Sequence, residues 1–552
     1  MKPSKDIQAS AQRDSFVRDH LPPPERWPEL VFDRPELQFG EQINLVAALF
    51  QRNTAHGRAD TPMLRSPATT LNYAQAEAQV NRLARVLVED LALVPGNRVL
   101  LRGGNSIGLA LAWLAVVKAG MVAVATMPLL RAKELADIID KSRPAAALCD
   151  AALLEELLIT QRTQATIGQV LCFNGAAPPS DLAGLKVNDL EKLASGKLEQ
   201  FDPCPTTASD IAMMAFTSGT TGKPKAAVHT HRDILAACET WPRHVLCAKP
   251  SDIVVGSPPL AFTFGMGGLL IFPMWAGASV YFPDRPYNPE SMVKTINQIG
   301  ATICYTAPTF YRQMAPHAKA LGVPSLCICV SAGEGLPDAT RELWREASGI
   351  EMLDGIGATE MFHIFISSAG AEVRRMAIGK VVPGYVAKVV DAQDKEVPRG
   401  SIGRLAIKGP TGCKYLDDAR QESYVKDGWN FPGDSFIQDE DGYFFFQARA
   451  DDMIITSGYN VAGPEVEDAL LKHPAVAECG VVGEPDQERG TIVKAYCVLK
   501  PGQPGDSAMV KVLQDHVKAS IAPYKYPRSI EFVNSLPRTE TGKLQRFRLR
   551  QS

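Results

Sequence analysis

One segment of nine residues combines hydroxyl, glycine and lysine side chains in a pattern suited to binding phosphate. The segment comprises Thr217, Ser218, Gly219, Thr220, Thr221, Gly222, Lys223, Pro224 and Lys225. Glycines let backbone N–H groups approach an anion, hydroxyls donate hydrogen bonds and lysines supply positive charge. A Walker loop needs four residues between its glycines and a Ser or Thr after its lysine. Because this spacing is not met, a Walker-type triphosphatase is excluded, while another class of phosphate loop and a solvated polar turn both remain open.

Polar residues further along the chain have side chains suited to the other parts of a nucleotide. Thr359 lies beside Glu360. A hydroxyl can donate a hydrogen bond to a phosphate oxygen, and a neighbouring carboxylate can bind a magnesium ion. Asp434 and Arg449 can hydrogen-bond the hydroxyls of a ribose. Lys543 follows a glycine near the end of the sequence. Taken singly, Asp434 and Lys543 are more typical of a turn carboxylate and a solvated lysine, so it is the combination that indicates nucleotide chemistry.

The elements that must position these residues alternate between helix and strand in the first part of the chain. Apolar residues at helical spacing predict helices at residues 73–91, 106–120, 132–144 and 288–300. Short apolar runs predict strands at residues 97–103, 121–127, 145–150 and 301–307. Repetition of this order predicts parallel strands joined by crossover helices, which is an α/β architecture.

The pattern changes after about residue 389, where turn residues between short apolar runs predict a β-hairpin. A compact final unit of strands and helices follows. We place the boundary at Arg449, which divides the chain into residues 1–448 and residues 449–552.

Composition restricts the classes of partner. A net charge of −3 with 45% hydrophobic and 22% charged residues is typical of a globular protein and gives no reason to expect nucleic acid or an anionic membrane. Residues 253–283 carry no charged side chain, but their prolines and glycines predict a buried wall of strand, loop and short helix rather than a membrane span. The N-terminal residues lack the apolar run of a signal peptide, and the scattered cysteines are typical of reduced thiols, so we expect a cytoplasmic protein.

In this order and at these separations, the motifs resemble those of the acyl-adenylate-forming superfamily, which includes acyl-CoA synthetases, adenylation domains of peptide synthetases and luciferases. The resemblance extends from Leu71 to Lys543. It implies a large N-terminal domain of α/β layers with a β-barrel-like part, and a small, mobile α+β C-terminal domain. It also implies two half-reactions: a carboxylic acid and Mg²⁺-bound ATP give acyl-AMP and pyrophosphate, and a thiol, usually that of coenzyme A, then displaces AMP.

The resemblance also implies a role for each motif. Thr217 to Lys225 would hold the β- and γ-phosphates, Thr359 would touch the α-phosphate, and Glu360 would help to bind magnesium. Segments flanking the adenine would include Gly333, Glu334, Asp354, Gly355 and Ile356, and the ribose would be bound by Asp434 and Arg449.

The C-terminal residues would act in both half-reactions. Lys543 would bridge the attacking carboxylate and the α-phosphate, where negative charge accumulates in the transition state. Asp451 matches the hinge of the superfamily. Rotation there would replace Lys543 by the segment around Gly458, whose missing side chain leaves room for the pantetheine arm of CoA.

Three features indicate an aromatic acid. Phe262, Phe264 and Gly265 occupy the position of the acyl pocket, where the phenylalanines could flank a ring or simply pack in the core. The segment that contains Gly357 and His363 resembles benzoate-type CoA ligases, in which this histidine lies near the acid, and the matching pocket wall includes Ala332. Residues 20–39 resemble the start of 2-aminobenzoate–CoA ligases. We therefore predict 2-aminobenzoate first and benzoate second, although Phe264 stands where benzoate ligases tend to have tyrosine.

Several alternatives remain open. The acid could be another aryl or a medium-chain acid, or the acyl group could be passed to a free-standing carrier protein. From a different class, the chain could be a nucleotide-binding relative without catalysis, against which the presence of Thr359, Glu360, Asp434, Arg449 and Lys543 weighs. The predicted partners are thus a small carboxylic acid, ATP and CoA, and the sequence leaves open a monomer or a homodimer.

Replacing Lys543 by alanine separates the two half-reactions. We expect Lys543→Ala to lose acyl-AMP formation by roughly three orders of magnitude, because the transition-state charge loses its counter-ion. Conversion of preformed acyl-AMP and CoA to the thioester should continue. Pyrophosphate release measures the first step and thioester formation the second; an equal loss of both would contradict the assignment.

Overall fold

The computed structural model describes residues 10–163, 167–175, 185–217, 223–449, 452–456, 459–486, 490–538 and 544–550. Its strands, in chain order, are β1 Pro62–Arg65, β2 Thr70–Asn72, β3 Arg98–Arg102, β4 Val122–Thr126, β5 Ala146–Asp150, β6 Gln169–Phe173, β7 Lys186–Asp189, β8 Ile211–Thr217, β9 Lys225–Thr230, β10 Ile253–Gly256, β11 Ser279–Tyr281, β12 Ile303–Thr306, β13 Ile328–Ser331, β14 Met352–Gly357, β15 Ile364–Ser367, β16 Lys380–Val381, β17 Val386–Val390, β18 Ile402–Lys408, β19 Val425–Lys426, β20 Trp429–Asn430, β21 Asp434–Gln438, β22 Phe444–Arg449, β23 Ile454–Thr456, β24 Tyr459–Val461, β25 Val476–Asp486, β26 Gly490–Leu499 and β27 Ser529–Phe532.

The α-helices are α1 Phe16–Asp19, α2 Leu45–Ala55, α3 Tyr73–Arg85, α4 Ile107–Lys118, α5 Ala132–Ser142, α6 Leu154–Thr163, α7 Leu190–Ser195, α8 His231–Cys238, α9 Thr263–Met266, α10 Phe272–Ala276, α11 Pro289–Ile299, α12 Pro308–Leu321, α13 Asp338–Ser348, α14 Gln421–Tyr424, α15 Gly463–Leu471, α16 Ser507–Ser520 and α17 Arg546–Leu549. Local signals fix several of their ends. α3 starts at a capping box formed by Asn72 and Gln75, and α11 ends at Gly300, which has a φ of +67°.

Two large sheets form the bulk of the N-terminal part. One has the order β7-β6-β5-β3-β4-β8-β9 and the other the order β16-β15-β14-β13-β12-β10-β11-β1-β2. Strands β3 to β8 of the first sheet and β10 to β14 of the second pair in parallel, as the alternation of helix and strand predicted. Strands β3 and β4 are buried along their whole length, including the arginines at both ends of β3, because helices cover the sheet faces. The α/β class is confirmed.

The uncharged stretch of residues 253–283 forms β10, α9, α10 and β11 with the connecting turns. Strand β10 lies in the nine-stranded sheet, and the side chains of α9 and α10 are largely buried. This agrees with the predicted buried wall. Within the described residues, no helix combines the length and apolar character needed to cross a membrane.

Smaller sheets follow in the second part of the chain. β17 and β18 form the predicted antiparallel hairpin and join β19, β20, β21 and β22 in one sheet. Next come the pair β23-β24 and the sheet β25-β26-β27, whose core is packed by α15 and α16. The boundary proposed at Arg449 falls at the end of β22, and the small C-terminal α+β unit follows it.

A buried arginine at the end of β3 joins two neighbouring loops. Arg102, at the end of β3, is 1% exposed and donates hydrogen bonds to the backbone carbonyls of Met127, Pro128, Leu130 and Leu153 at distances of 2.9–3.1 Å. Its guanidinium therefore joins the loop after β4 to the start of α6. Backbone carbonyls that are buried without a donor are costly, so this one side chain stabilises both loops.

We expect Arg102→Met to lower the free energy of unfolding by about 2–4 kcal/mol, because several buried carbonyls lose their donor at once. The matched control is Arg131→Met, whose side chain is 79% exposed in its ion pair with Glu156 and should lower the free energy of unfolding far less, because water screens an exposed pair. Differential scanning calorimetry measures both changes. Similar losses for the two variants would show that the carbonyl contacts contribute little.

Candidate functional site

The turn between the antiparallel strands β14 and β15 carries four of the predicted site residues, Gly357, Thr359, Glu360 and His363. Residues Thr359–Met361 form a single 3₁₀ turn, and Phe362 follows with a φ of +70°. A bulky residue in this region is strained, and such strain persists only where the surroundings enforce it. A Cβ on Gly357 would lie 2.6 Å from the carbonyl oxygen of His363. The two ends of the turn therefore approach closely and present Thr359 and Glu360 at its tip.

Glu360 is linked to Lys225 through a tyrosine that the sequence analysis did not identify. The Tyr415 hydroxyl donates to Oε1 of the Glu360 carboxylate, and Lys225 Nζ donates to that hydroxyl over 3.2 Å. Lys225 Nζ also lies 5.0 Å from the centre of the tyrosine ring. The predicted phosphate-loop lysine and the predicted magnesium carboxylate are thus neighbours. No local pattern signals Tyr415, which is 55 residues from Glu360 in the sequence.

The donor set around Glu360 fits a magnesium ion that is shared with phosphate groups. Among the described residues, no cluster of three or more His, Cys, Asp or Glu side chains could hold a metal ion by itself. Magnesium in nucleotide enzymes uses one or two carboxylates, and phosphate and water oxygens complete its shell. A single buried carboxylate next to a lysine that is predicted to bind phosphate is compatible with that arrangement.

The residues predicted to flank the adenine lie at the carboxyl ends of two neighbouring parallel strands. Ser331 at the end of β13 pairs with Asp354 in β14, so Gly333 follows one strand while Gly355 and Ile356 continue the other. This edge is where open α/β sheets bind ligands. Burial raises the pKa of Asp354 to about 6, against the opposing effect of the Arg341 guanidinium at 4.0 Å.

Glu334, which is predicted to lie beside the adenine, also makes hydrogen bonds that connect two parts of the chain. Its Oε1 accepts hydrogen bonds from the Thr309 backbone N–H at 2.9 Å and from the Thr309 hydroxyl at 2.5 Å, at the start of α12. Its Oε2 lies 3.4 Å from the guanidinium of Arg538, which also donates to Glu478 over 2.7 Å. Glu334 therefore joins α12 to the C-terminal unit.

A cleft of about 380 Å³ surrounds this contact. Its walls come from both parts of the chain, and among them are Ser257, Thr306, Thr309, Glu334, Glu478, Asn534 and Arg538. The C-terminal residues of the wall were not predicted. Glu478 belongs to β25, whereas Asn534 and Arg538 belong to the segment that precedes Lys543, so this segment lies beside a predicted nucleotide-flanking residue.

The sheet formed by β21 and β22 places the two predicted ribose ligands opposite each other. Asp434 is the register partner of Arg449, and its side chain is buried. The side chain of Arg449 lies outside what the structure describes. So do the predicted site residues Ser218, Gly219, Thr220, Thr221, Gly222, Asp451, Gly458 and Lys543.

His363 lies inside a cluster of aromatic side chains. Its ring centre is 4.5 Å from that of Phe272, 5.2 Å from Trp241 and 5.6 Å from Phe264. Tyr305 completes the cluster, 5.8 Å from Phe264 and 6.4 Å from Trp241. Burial lowers the pKa of His363 to about 3, so the imidazole is neutral. The predicted pair Phe264 and His363 are brought together, whereas Trp241, Phe272 and Tyr305 were missed.

Three members of this aromatic cluster carry buried polar atoms without a hydrogen-bond partner among the described residues. These atoms are Trp241 Nε1, the Tyr305 hydroxyl oxygen and both ring nitrogens of His363. The backbone of Phe264 lies near the imidazole and opposes the fall in the pKa of His363. Buried polar atoms usually have partners, so unpaired ones grouped within one aromatic cluster are candidates for contacts with a polar ligand.

The glycines in this region have a role that differs from the predicted one. Gly265 was expected to leave space for the ring of the acid, but a Cβ there would collide with the backbone carbonyl of Pro259. Its missing side chain therefore accommodates the chain itself. A Cβ on Gly267 would lie 2.6 Å from the His363 ring, and one on Gly268 would lie 2.6 Å from the Tyr305 ring. These two glycines therefore let the backbone approach the His363 and Tyr305 rings closely.

The remaining predicted pocket residues are less central. Phe262 is half-buried at the start of α9 and packs against the main core, and Ala332 is buried after β13. Thr217 is the last residue of β8 and pairs in register with Lys225 of β9. The two ends of the predicted phosphate-binding segment, residues 217–225, therefore lie side by side.

Comparison with known proteins gives consistent results over most of the chain. Residues 50–414 match the family described as AMP-binding enzyme, and residues 465–543 match its C-terminal domain. The chain is 35% identical to the benzoate–CoA ligase of Thauera aromatica, over 94% of this chain and 97% of that one. It is 31% identical to the 3-hydroxybenzoate–CoA ligase of Aromatoleum sp. (strain CIB), over 90% and 94%.

The fold is similar to that of solved ligases. The anthranilate CoA ligase AuaEII in complex with anthranoyl-AMP superposes with a TM-score of 0.88 at 32% identity, covering 94% of this chain and 98% of that one. A benzoate CoA ligase from Burkholderia xenovorans LB400 has a TM-score of 0.82 at 30% identity, over 92% of this chain and 100% of that one.

Removing the Tyr415 hydroxyl tests the link between Lys225 and Glu360. We expect Tyr415→Phe to reduce pyrophosphate release from ATP by about 10- to 100-fold, because the Glu360 carboxylate loses its buried donor and its orientation. Tyr73→Phe is the control, since the Tyr73 hydroxyl donates to the Ala278 carbonyl over 2.9 Å, remote from this link. Equal rates for the two variants would exclude a role of Tyr415 in holding Glu360.

Proposed function

Because the chain belongs to the AMP-binding enzyme family, we propose that it joins an aromatic carboxylic acid to CoA through an acyl-AMP, with 2-aminobenzoate as the preferred acid. It is an aryl-CoA ligase of the acyl-adenylate-forming superfamily. The observation that carries the choice of acid is the set of unpaired polar atoms on Trp241, Tyr305 and His363, inside a cluster of aromatic rings.

In the first half-reaction, a carboxylate oxygen of the acid forms a bond to the α-phosphorus of ATP, and the bond to pyrophosphate breaks. Lys225 holds the departing phosphates, Thr359 contacts the α-phosphate, and Glu360 is oriented by Tyr415. Glu360 would hold a magnesium ion, which would neutralise phosphate charge. Lys543 stabilises the charge that develops between the acid and the α-phosphate, as a cation in a dry cleft does most effectively.

In the second half-reaction, the sulfur of CoA bonds to the acyl carbon, the bond from that carbon to AMP breaks, and the thiol proton is lost to solvent. Lys543 must leave the site before the thiol enters, and rotation at Asp451 provides this movement. Arg538, which contacts Glu334 in the cleft, belongs to the segment that would have to move.

The chemistry of the pocket favours a ring that carries a polar substituent. Benzoate would bury its apolar ring against Phe264 and Phe272 but would leave the Tyr305 hydroxyl and the Trp241 N–H unpaired. An unpaired buried polar group costs about 1–3 kcal/mol. An amino substituent can donate to the Tyr305 oxygen and to the acceptor nitrogen of the neutral His363, while a hydroxyl or carboxylate oxygen of the acid can accept from the Trp241 N–H. The choice of 2-aminobenzoate agrees with the fold similarity to the anthranilate ligase.

A panel of acids tests this assignment. We expect kcat/KM for 2-aminobenzoate to exceed that for benzoate by about tenfold or more, because one buried hydrogen bond is worth about that factor. AMP production that depends on both ATP and CoA measures each acid, with hydroxybenzoates and hexanoate as further members of the panel. A clear preference for benzoate or hexanoate would contradict the choice of acid but leave the reaction intact. Pyrophosphate release without any acyl-CoA would instead indicate a carrier-protein substrate, and no release would indicate a nucleotide-binding protein.

Within the same experiment, Tyr305→Phe should reduce the preference for 2-aminobenzoate over benzoate by about fivefold to tenfold. The matched control is Tyr311→Phe, since Tyr311 is equally buried but its hydroxyl already donates to the Cys304 carbonyl over 2.7 Å. The control should leave the preference unchanged.

A further inference from the structure

We propose that His229 is a positioning residue for acyl-AMP formation, because it holds the backbone of the turn that presents Thr359 and Glu360. This role rests on the proposed function. His229 lies in β9, is fully buried, and makes a hydrogen bond of 2.8 Å between its Nε2 and the Thr359 carbonyl oxygen. A carbonyl only accepts, so Nε2 carries the hydrogen and donates it.

The hydrogen bond acts at the point where the turn is strained. The Thr359 carbonyl also accepts the Phe362 N–H over 3.1 Å, so it receives two donors. Phe362 is the residue with a φ of +70°, and its ring packs edge-on against the His229 imidazole with centres 5.5 Å apart. The same side chain therefore fixes the carbonyl at the start of the turn and covers the strained residue at its end.

Three consecutive residues of the turn are each held by a side chain from another element. His229 binds the Thr359 carbonyl, the Tyr415 hydroxyl binds the Glu360 carboxylate, and the Thr411 hydroxyl donates to the Met361 carbonyl over 2.9 Å. Loss of one contact would let the turn relax toward a less strained backbone. The hydroxyl of Thr359 and the carboxylate of Glu360 would then leave their common orientation.

The backbone around His229 is itself rigid. Val228 donates to the Lys414 carbonyl over 2.9 Å, and Ala227 forms a bridge with Tyr415, so β9 also supports the tyrosine that binds Glu360. The residue after His229 starts α8 with a capping box between Thr230 and Asp233. Because this backbone is fixed, the His229 donor cannot move with the turn and instead holds the Thr359 carbonyl in place. A residue that orients a catalytic group needs such rigid support.

The decisive variant is His229→Phe, which keeps a ring against Phe362 and removes only the donor. We expect its acyl-AMP formation, measured as single-turnover pyrophosphate release, to fall by about 10- to 100-fold, the effect usual for groups that orient a ligand residue. Conversion of preformed acyl-AMP and CoA to the thioester should fall by less than about threefold, since magnesium and the β- and γ-phosphates have already left. Isothermal titration calorimetry should show weaker binding of Mg²⁺-bound ATP.

Two further variants separate positioning from stability. His229→Gln retains an N–H donor and should recover about tenfold of the lost adenylation rate, the worth of one buried hydrogen bond. His231→Phe is the matched control: His231 is equally buried two residues away and accepts a hydrogen bond from Leu45 N–H at 3.1 Å, but makes no contact with the turn. Because its described hydrogen bond is to α2 and not to the turn, this variant should lower the melting temperature and leave the ratio of the two half-reactions unchanged.

If His229→Phe does not fold, Thr411→Val tests the same idea through the Met361 carbonyl and should show the same selective loss of adenylation. Parallel losses in both half-reactions, failure of glutamine to rescue, or the same selective loss in His231→Phe would each overturn the role of His229. If the wild-type protein releases no pyrophosphate with any acid, the proposed function itself fails. If the wild-type protein releases pyrophosphate and His229→Phe releases it at the same rate, only the positioning role is overturned.

Discussion

The turn between β14 and β15 depends on hydrogen bonds from side chains that lie far away in the sequence. Its strained Phe362 and its close approach at Gly357 make this conformation unfavourable for an isolated hairpin. Buried donors from β9 and from the segment after β18 compensate for that strain, because each satisfies an acceptor that water cannot reach. The orientation of Thr359 and Glu360 is thus a property of how the two large sheets pack.

The same packing joins the proposed phosphate and acid sites. β14 and β15 belong to the nine-stranded sheet, whereas β9 is the edge strand of the seven-stranded one. The turn crosses the space between them, with Glu360 linked toward Lys225 and His363 placed among the aromatic rings near Phe264. A ligand that reaches both ends would span the boundary between the sheets, which is a common location for binding sites. Any shift of one sheet against the other would therefore change both sites together.

The C-terminal unit meets this region through charged groups. Arg538 contacts Glu334 and Glu478, and Arg312 of α12 donates to the Ala477 carbonyl over 3.2 Å. Such polar contacts in a partly open cleft are weaker than an apolar interface and can exchange with water. This kind of contact is compatible with the change of position that we propose for this unit between the two half-reactions.

The sequence alone determined the α/β class and the hairpin of β17 and β18. It also selected Lys225, Thr359, Glu360 and His363 as candidate site residues, because periodicity and side-chain type are local properties. It could not reveal Tyr415, His229 or Tyr305. His229 is 130 residues from Thr359, and their contact exists only because β9 and the turn after β14 become neighbours when the sheets assemble. For Gly265 the residue type was evident but its reason was not, since only the folded chain shows that the backbone of Pro259 fills the space. Tertiary structure decided these points because each depends on which distant elements pack together, and no local pattern encodes that.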